Sequence, residues 1–182
     1  SLQGQIEVLS LPGSGKDSNI YDETLSPDGK ELYYETITST QAMPPADPTD
    51  SVFPEMNVIE RYVIASGSST AVARAAAGDY FSVGAGNFTL SSDGRALLYI
   101  ESRPTSTGAY QPGSATVWRV DLSSNSQPVK IIAGLNRPFR LNWCNNSLYY
   151  YDSEVGWHGW YGMAAAGGKP VRIAGEILGC AP

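Results

Sequence analysis

A single histidine, His158, and two cysteines, Cys144 and Cys180, are all that 182 residues offer toward a soft metal centre. A zinc site draws three or four ligands from such residues, so no metal site is expected, and no cofactor motif is present. A serine hydrolase needs an imidazole beside an exposed hydroxyl, and the chain has no Gly-x-Ser-x-Gly elbow. His158 stands between Trp157 and Trp160, a setting for packing or ligand contact more than for acid-base work. No catalytic residue is assigned, and the chain reads as a non-enzyme more readily than as an enzyme. Basic residues are scarce as well: 12 Lys and Arg, scattered, face 18 Asp and Glu, leaving a net charge of −6. A nucleic-acid groove or an anionic-membrane patch therefore lacks its electrostatic basis. No apolar run approaches the ~20 residues of a spanning helix, which argues against membrane insertion. Even helix signals are rare, the best being the short stretch Ala71 to Ala77.

What the chain does have is repetition. Leu25-Ser-Pro-Asp-Gly-Lys-Glu-Leu-Tyr-Tyr-Glu35 recurs without gaps as Leu90-Ser-Ser-Asp-Gly-Arg-Ala-Leu-Leu-Tyr-Ile100. A worn third copy reads Leu141-Asn-Trp-Cys-Asn-Asn-Ser-Leu-Tyr-Tyr-Tyr151. Asp-Gly between two short apolar runs signals a β-hairpin, with a type I′ turn expected because Asp and Gly tolerate positive φ. Leu25, Leu90 and Leu141, with Leu32, Leu97 and Leu148, hold one phase around these turns and should point into the core.

A second element follows each hairpin. It opens on Tyr62, Trp118 or Trp160 and closes on Gly78, Gly134 or Gly175, spans of 16, 16 and 15 residues. Each span has room for two more short strands around a Gly/Ser/Asn turn. Each unit thus offers about four strands, the content of one propeller blade. The reading is an all-β, propeller-like chain, a single segment over 1–182. Its three four-stranded blades fall at about 20–78, 79–134 and 135–175, and a strand over 5–11 belongs to a neighbouring blade. Propellers have roughly 4 to 8 blades, so three make a partial ring. Either the chain is a segment of a longer polypeptide, favoured by the strand faces an open ring must hide, or it is a half-propeller completed by self-association through its open blade faces.

The Ser-Pro-Asp-Gly-Lys turn at 26–30, the Leu-x-Tyr strand after it and the Trp118-Arg-Val-Asp-Leu122 strand resemble the propeller repeat of the TolB family, also called the WD40-like or PD40 repeat. The resemblance covers roughly residues 20–175. It implies a non-enzymatic binding or scaffolding module outside the cytoplasm, periplasmic or secreted, with protein or peptide partners. The alternative is the propeller part of a larger peptidase or carbohydrate-active enzyme. Propellers host many unrelated functions, so the resemblance speaks to fold more than to activity.

Gly13-Ser-Gly-Lys16 imitates a phosphate loop, but Ser10 stands where a glycine is required and Asp17 where Ser or Thr is, so it reads as a turn. Cys144 lies at the third hairpin tip, and Cys180 a few residues beyond the last strand, where a next inner strand would run beside it. A Cys144–Cys180 disulfide is expected, although two idle thiols would fit the count equally well. With a charged fraction of 16%, such a bond favours an extracytoplasmic location. Trp143 aligns with Pro27 and Ser92, positions that need not be apolar, and Trp157 sits in the loop after the third hairpin. Both are candidate stacking surfaces for a peptide or a carbohydrate. Asp152, Glu154 and His158 flank Trp157 and complete the candidate partner-binding set. The loops between second and third strands, longest at Gln41 to Met56 and Pro104 to Gly113, mark one end of the blades as the binding end.

Overall fold

The computed structural model describes residues 11–12, 18–39, 55–76, 79–81, 86–103, 111–124, 126–154 and 157–175. Among them there is no helix, and three antiparallel sheets follow one another along the chain. Blade 1 is the meander Ser18–Leu25, Glu31–Ser39, Glu55–Val63 and Ser68–Arg74. Blade 2 comprises Ala96–Ser102, Ala115–Asp121 and Val129–Leu135, preceded by an inner edge split into Tyr80–Phe81 and Phe88–Leu90. Blade 3 is Pro138–Cys144, Ser147–Glu154, Trp157–Ala164 and Val171–Ile173. The expected N-terminal strand over 5–11 falls almost wholly outside the described residues, as do the 40–54, 104–110 and 155–156 loops.

The first two hairpins close on the same bonds. Ser26 N–H donates to the Glu31 carbonyl at 2.8 Å and Ser91 N–H to that of Ala96 at 2.8 Å. The serine hydroxyls donate to Asp28 and Asp93 at 2.7 and 2.6 Å, and each Asp also accepts an N–H two residues on. Only the glycines are left-handed, Gly29 at φ 69° and Gly94 at φ 68°. The turns are therefore not type I′, which needs positive φ at both central residues. They are four-residue loops in which Asp serves as a hydrogen-bond acceptor and Gly alone takes the left-handed step.

The third hairpin is two residues shorter. Cys144 pairs directly with Ser147, and Asn145 carries the positive φ, 53°. Consequently Trp143 pairs with Leu148 just as Leu25 pairs with Leu32 and Leu90 with Leu97. The ungapped alignment placed Leu141 in that role and made Trp143 the odd residue. The register corrects it, and Trp143 is the structural counterpart of two leucines.

Alternation along each second strand then builds the seams, because successive side chains face opposite sides. In blade 2, Leu97 and Tyr99 face blade 1, meeting Tyr33 and Ile59, while Leu98 and Ile100 face blade 3, meeting Leu148, Tyr150 and Met163. Sandwiched from both sides, all seven residues of Ala96–Ser102 are buried. Burying each leucine fully contributes about 1.5 to 3 kcal/mol. Leu97, Leu141 and Leu148 are buried as expected, but Leu25 is 56% exposed. The reason is positional: Leu25 lies at the hairpin end of the blade 1 face turned away from blade 2, beyond the buried Tyr34 and Tyr62. Tyr62, Trp118 and Trp160 also differ from expectation, pairing with Leu32, Tyr99 and Tyr151 and so lying at unequal heights.

Carboxylates tie the blades together at the end opposite the hairpins. Asp22, in a bulge of blade 1, accepts the N–H groups of Gly86 and Asn87 at 2.9 Å each. The Gly86 carbonyl in turn accepts Leu141 N–H of blade 3 at 2.8 Å. A Cβ on Gly86 would stand 2.9 Å from the Arg140 backbone, so only glycine allows this approach. Glu101 accepts Ala76 N–H at 2.6 Å, and Asp152 accepts Arg137 N–H at 2.8 Å. Both acids thus grip the connection entering their own blade.

Candidate functional site

The sequence candidates do not gather in one place. Trp143 sits at the hairpin end, where its indole N–H donates to the Asn145 carbonyl at 2.9 Å and the Arg119 guanidinium lies 5.4 Å from its ring. It packs against the core between blades 2 and 3 and borders a recess of about 410 Å³. Asp152 is only 8% exposed and is committed to the 136–137 connection. His158 is exposed and pairs with Ser153, whereas Trp143 pairs with Leu148 near the other end of the Ser147–Glu154 strand. Five residues of strand separate the two heights, roughly 17 Å at ~3.3 Å each. The side chains of Glu154 and Trp157 lie outside what is described.

His158 does open onto a concavity of about 880 Å³, bordered by Phe139, Arg140, Tyr151, Trp160 and Arg172. Three rings form a continuous array, Phe139 to Tyr151 at 5.0 Å and Tyr151 to Trp160 at 5.7 Å. Arg140 reaches over Phe139 at 5.7 Å, and Arg172 donates to the His158 carbonyl at 2.9 Å. A Cβ on Gly159 would come within 2.9 Å of Arg172 Nε, so this glycine makes room for the guanidinium. Among the described residues no carboxylate lines the concavity. A locally positive, aromatic surface thus sits on a chain of net charge −6, suited to stacking and to carboxylate recognition. Sequence reasoning found His158 alone here. The arginines sit 32 residues apart and meet only through the sheet.

A smaller recess of about 340 Å³ lies at the same end of blade 2. Arg103 forms a two-point ion pair there with Asp79, at 2.8 and 3.3 Å. The Trp118 indole N–H, buried in its wall, has no acceptor. Between blades 1 and 2, Glu35 is 1% exposed and neither carboxyl oxygen has a partner. Burial, and then the nearby Asp22, push its carboxyl up to about 8. Burial likewise raises Asp22 above the ordinary aspartate value, outweighing the N–H groups it accepts. Among the described residues no group of three or more His, Cys, Asp or Glu converges as a metal centre. Cys144 is disulfide-bonded, while Cys180, its expected partner, lies outside the described residues.

No protein-family model matches the chain, and no characterised protein matches it by sequence. Solved structures do match. TolB from Acinetobacter baumannii superposes with a TM-score of 0.59 at 14% identity, over 87% of this chain and 33% of that one. The β-propeller domain of the Trilobed protease from Pyrococcus furiosus, described as having an open velcro topology, gives 0.56 at 12%, over 87% and 44%. The chain has a β-propeller fold. A nidogen/laminin complex gives 0.56 at 14%, over 87% of this chain and 49% of that one. At such identities the likeness shows fold alone, and this propeller segment spans a third to a half of the lengths it matches.

Proposed function

We propose that the chain is a binding or scaffolding module of TolB-like, PD40-type repeats, not itself an enzyme, that engages protein or peptide outside the cytoplasm. The observation that carries this reading is the aromatic and cationic concavity of blade 3. It is an exposed, chemically distinctive surface on a rigid all-β scaffold, at the end where the longest loops emanate. Aromatics and Arg dominate the energetic centres of protein interfaces. The disulfide at Cys144 supports an oxidising compartment. Replacing Trp157 with Ala and shortening the Gln41 to Met56 loop should weaken capture of a partner in a pull-down while the melting temperature stays nearly constant; unchanged capture by both variants would refute the reading. The likeness to a protease's propeller domain, and the share of that domain spanned, favour a second reading: the propeller portion of a larger peptidase or carbohydrate-active enzyme. A coding sequence continuing into a hydrolase or lyase region would decide for it.

A further inference from the structure

The two seams differ in what they bury. Of the three buried carboxylates among the described residues, Glu101 and Asp152 each accept a backbone N–H, at 2.6 and 2.8 Å. Glu35, 1% exposed, accepts none, and both its oxygens are out of reach of water. A buried polar group without a partner carries its full desolvation penalty. The Asn57 and Asn87 amides are unpartnered as well, but an amide does not take on charge. Alternation along Glu31–Ser39 sets Glu35 beside Tyr33 on the face turned to blade 2, with Ile59 directly across and Asn57 on the diagonal. The carboxyl without a partner therefore lies in the seam between blades 1 and 2. Alternation from Leu148 and Tyr150 turns Asp152 toward the other seam, but that carboxylate is already bonded.

Among the described residues nothing near Glu35 offsets a charge on it. Burial opposes its ionisation first, and Asp22, standing across from it in the bulge of the first strand, adds to the opposition. On the second and third strands Glu31 and Arg61 share the seam face but pair with each other. On the fourth, Arg74 pairs with Val58, on the opposite face. Blade 2 brings Tyr99 and Glu101, the Lys130 ammonium 5.5 Å from the Trp118 ring, and Arg103 bound to Asp79 at the strand's end. Burial holds Tyr33 and Tyr99 well above the ordinary tyrosine value, so both stay neutral. An ionised Glu35 thus meets no counter-charge and needs water, which the closed seam does not admit.

We propose that the seam between blades 1 and 2 is a pH-sensitive joint, shut while Glu35 holds its proton and parted when that proton leaves to solvent, with the seam between blades 2 and 3 shut throughout. Parting hydrates the carboxylate. It also releases the bonds that Asp22 accepts from Gly86 and Asn87 N–H, and it uncovers Tyr33, Ile59, Leu97 and Tyr99. The joint lies wholly within the described blades and is independent of what the blade 3 concavity binds.

The test is residue-resolved amide hydrogen exchange on the 182-residue chain between pH 6 and pH 9, with each rate divided by its intrinsic base-catalysed rate. Gly86 and Asn87 N–H, donated across the joint, should open about a hundredfold more often at pH 9 than at pH 6. That ratio follows from a carboxyl at about 8 in the closed state and at its ordinary 4.5 in the open one. Both should also exchange roughly tenfold or more faster than Leu141 N–H, which is donated across the other seam and reports whole-chain unfolding. Glu35→Gln should abolish the rise at Gly86 and Asn87 while circular dichroism stays unchanged. Should that variant fail to fold, Glu35→Met keeps the length without the polarity and makes the same reading. If all three amides exchange at one rate, Glu35 acts only on whole-chain unfolding and the proposal is overturned. A rise that survives the substitution, or no rise at all, overturns it equally.

Discussion

The two ends of the blades use the same residue, aspartate, in opposite ways. At the hairpin end Asp28 and Asp93 are exposed, bond to a serine two residues away, and are held below the usual carboxylate range chiefly by that hydroxyl. At the other end Asp22 is half-buried, reaches a backbone 64 residues away, and is raised by burial. Local closure makes the hairpins self-sufficient; long-range closure makes the opposite end depend on how the blades sit together. Only the third hairpin crosses over. It lacks the Ser–Asp pair, and it is anchored by Trp143, the Arg119 stack and the Cys144 disulfide instead.

The largest expected effect tests that external anchor. If Cys144 pairs with Cys180, closing a loop of this length contributes ~3 to 4 kcal/mol in the chain-entropy model. Reduction, or Cys180→Ser, should lower the melting temperature by that equivalent. Non-reducing peptide mapping that recovers both cysteines as thiols would remove the third hairpin's claim to be different in kind.

Glu35 sharpens the electrostatic half of the comparison. Its folded pKa of about 8 lies above the ordinary value of 4.5, so the folded state holds a proton that the unfolded state releases. The stability this proton confers is fully present below pH ~4.5 and is lost as pH rises through about 8. Asp22, also raised, contributes with the same sign. Hairpin Asp28 and Asp93, being lowered, act oppositely, with stability lost on acidification. Glu35→Gln keeps the shape without the charge and should flatten the decline between about pH 4.5 and pH 8, an effect on the order of 3 kcal/mol. Urea titrations at pH 5 and pH 9 that show the same slope for variant and wild type would place the carboxyl in contact with solvent.

Truncating the acids compares the two ends directly. Asp22→Ala leaves the Gly86 and Asn87 N–H groups without their acceptor and should cost about 2 to 3 kcal/mol. Asp93→Ala, whose partners can turn to water, should cost clearly less. Equal losses would mean that the hairpins are no more autonomous than the opposite end.

This division also explains what could be read from the chain. The hairpins were legible because everything that closes them lies within six residues, and alternation after each turn pointed Leu97 and Leu148 inward. The third hairpin misled because its loop is two residues shorter, a deletion that identical spacing of Leu141 and Leu148 conceals. Type I′ geometry was inferred from residue identity, yet the hydroxyls of Ser26 and Ser91 select a different loop. At the other end, Asp152 looked like a binding acid because it stands near Trp157; its commitment to Arg137 N–H depends on a connection 15 residues earlier. Arg140 and Arg172 carried no sequence signal, since each becomes notable only beside the other and on a ring array assembled from three strands.

The smallest effect asks whether neighbouring hairpins are independent after all. Gly29 and Gly94 have nearly equal φ, 69° and 68°, so replacing either with Ala brings the same left-handed strain, about 1 kcal/mol. Their surroundings differ. A Cβ on Gly29 meets nothing within 4 Å, whereas one on Gly94 stands 3.1 Å from Cδ of Pro27, in the hairpin of the adjacent blade. Gly94→Ala should therefore cost a few tenths of a kcal/mol more than Gly29→Ala, through a contact between two turns that share no hydrogen bond. Combining it with Pro27→Ala should remove the excess, and additivity measured by denaturant midpoints gives the coupling. If the two glycine substitutions cost the same and Pro27→Ala changes neither, the hairpins are energetically separate and the blades communicate only through their seams and the acids of the opposite end.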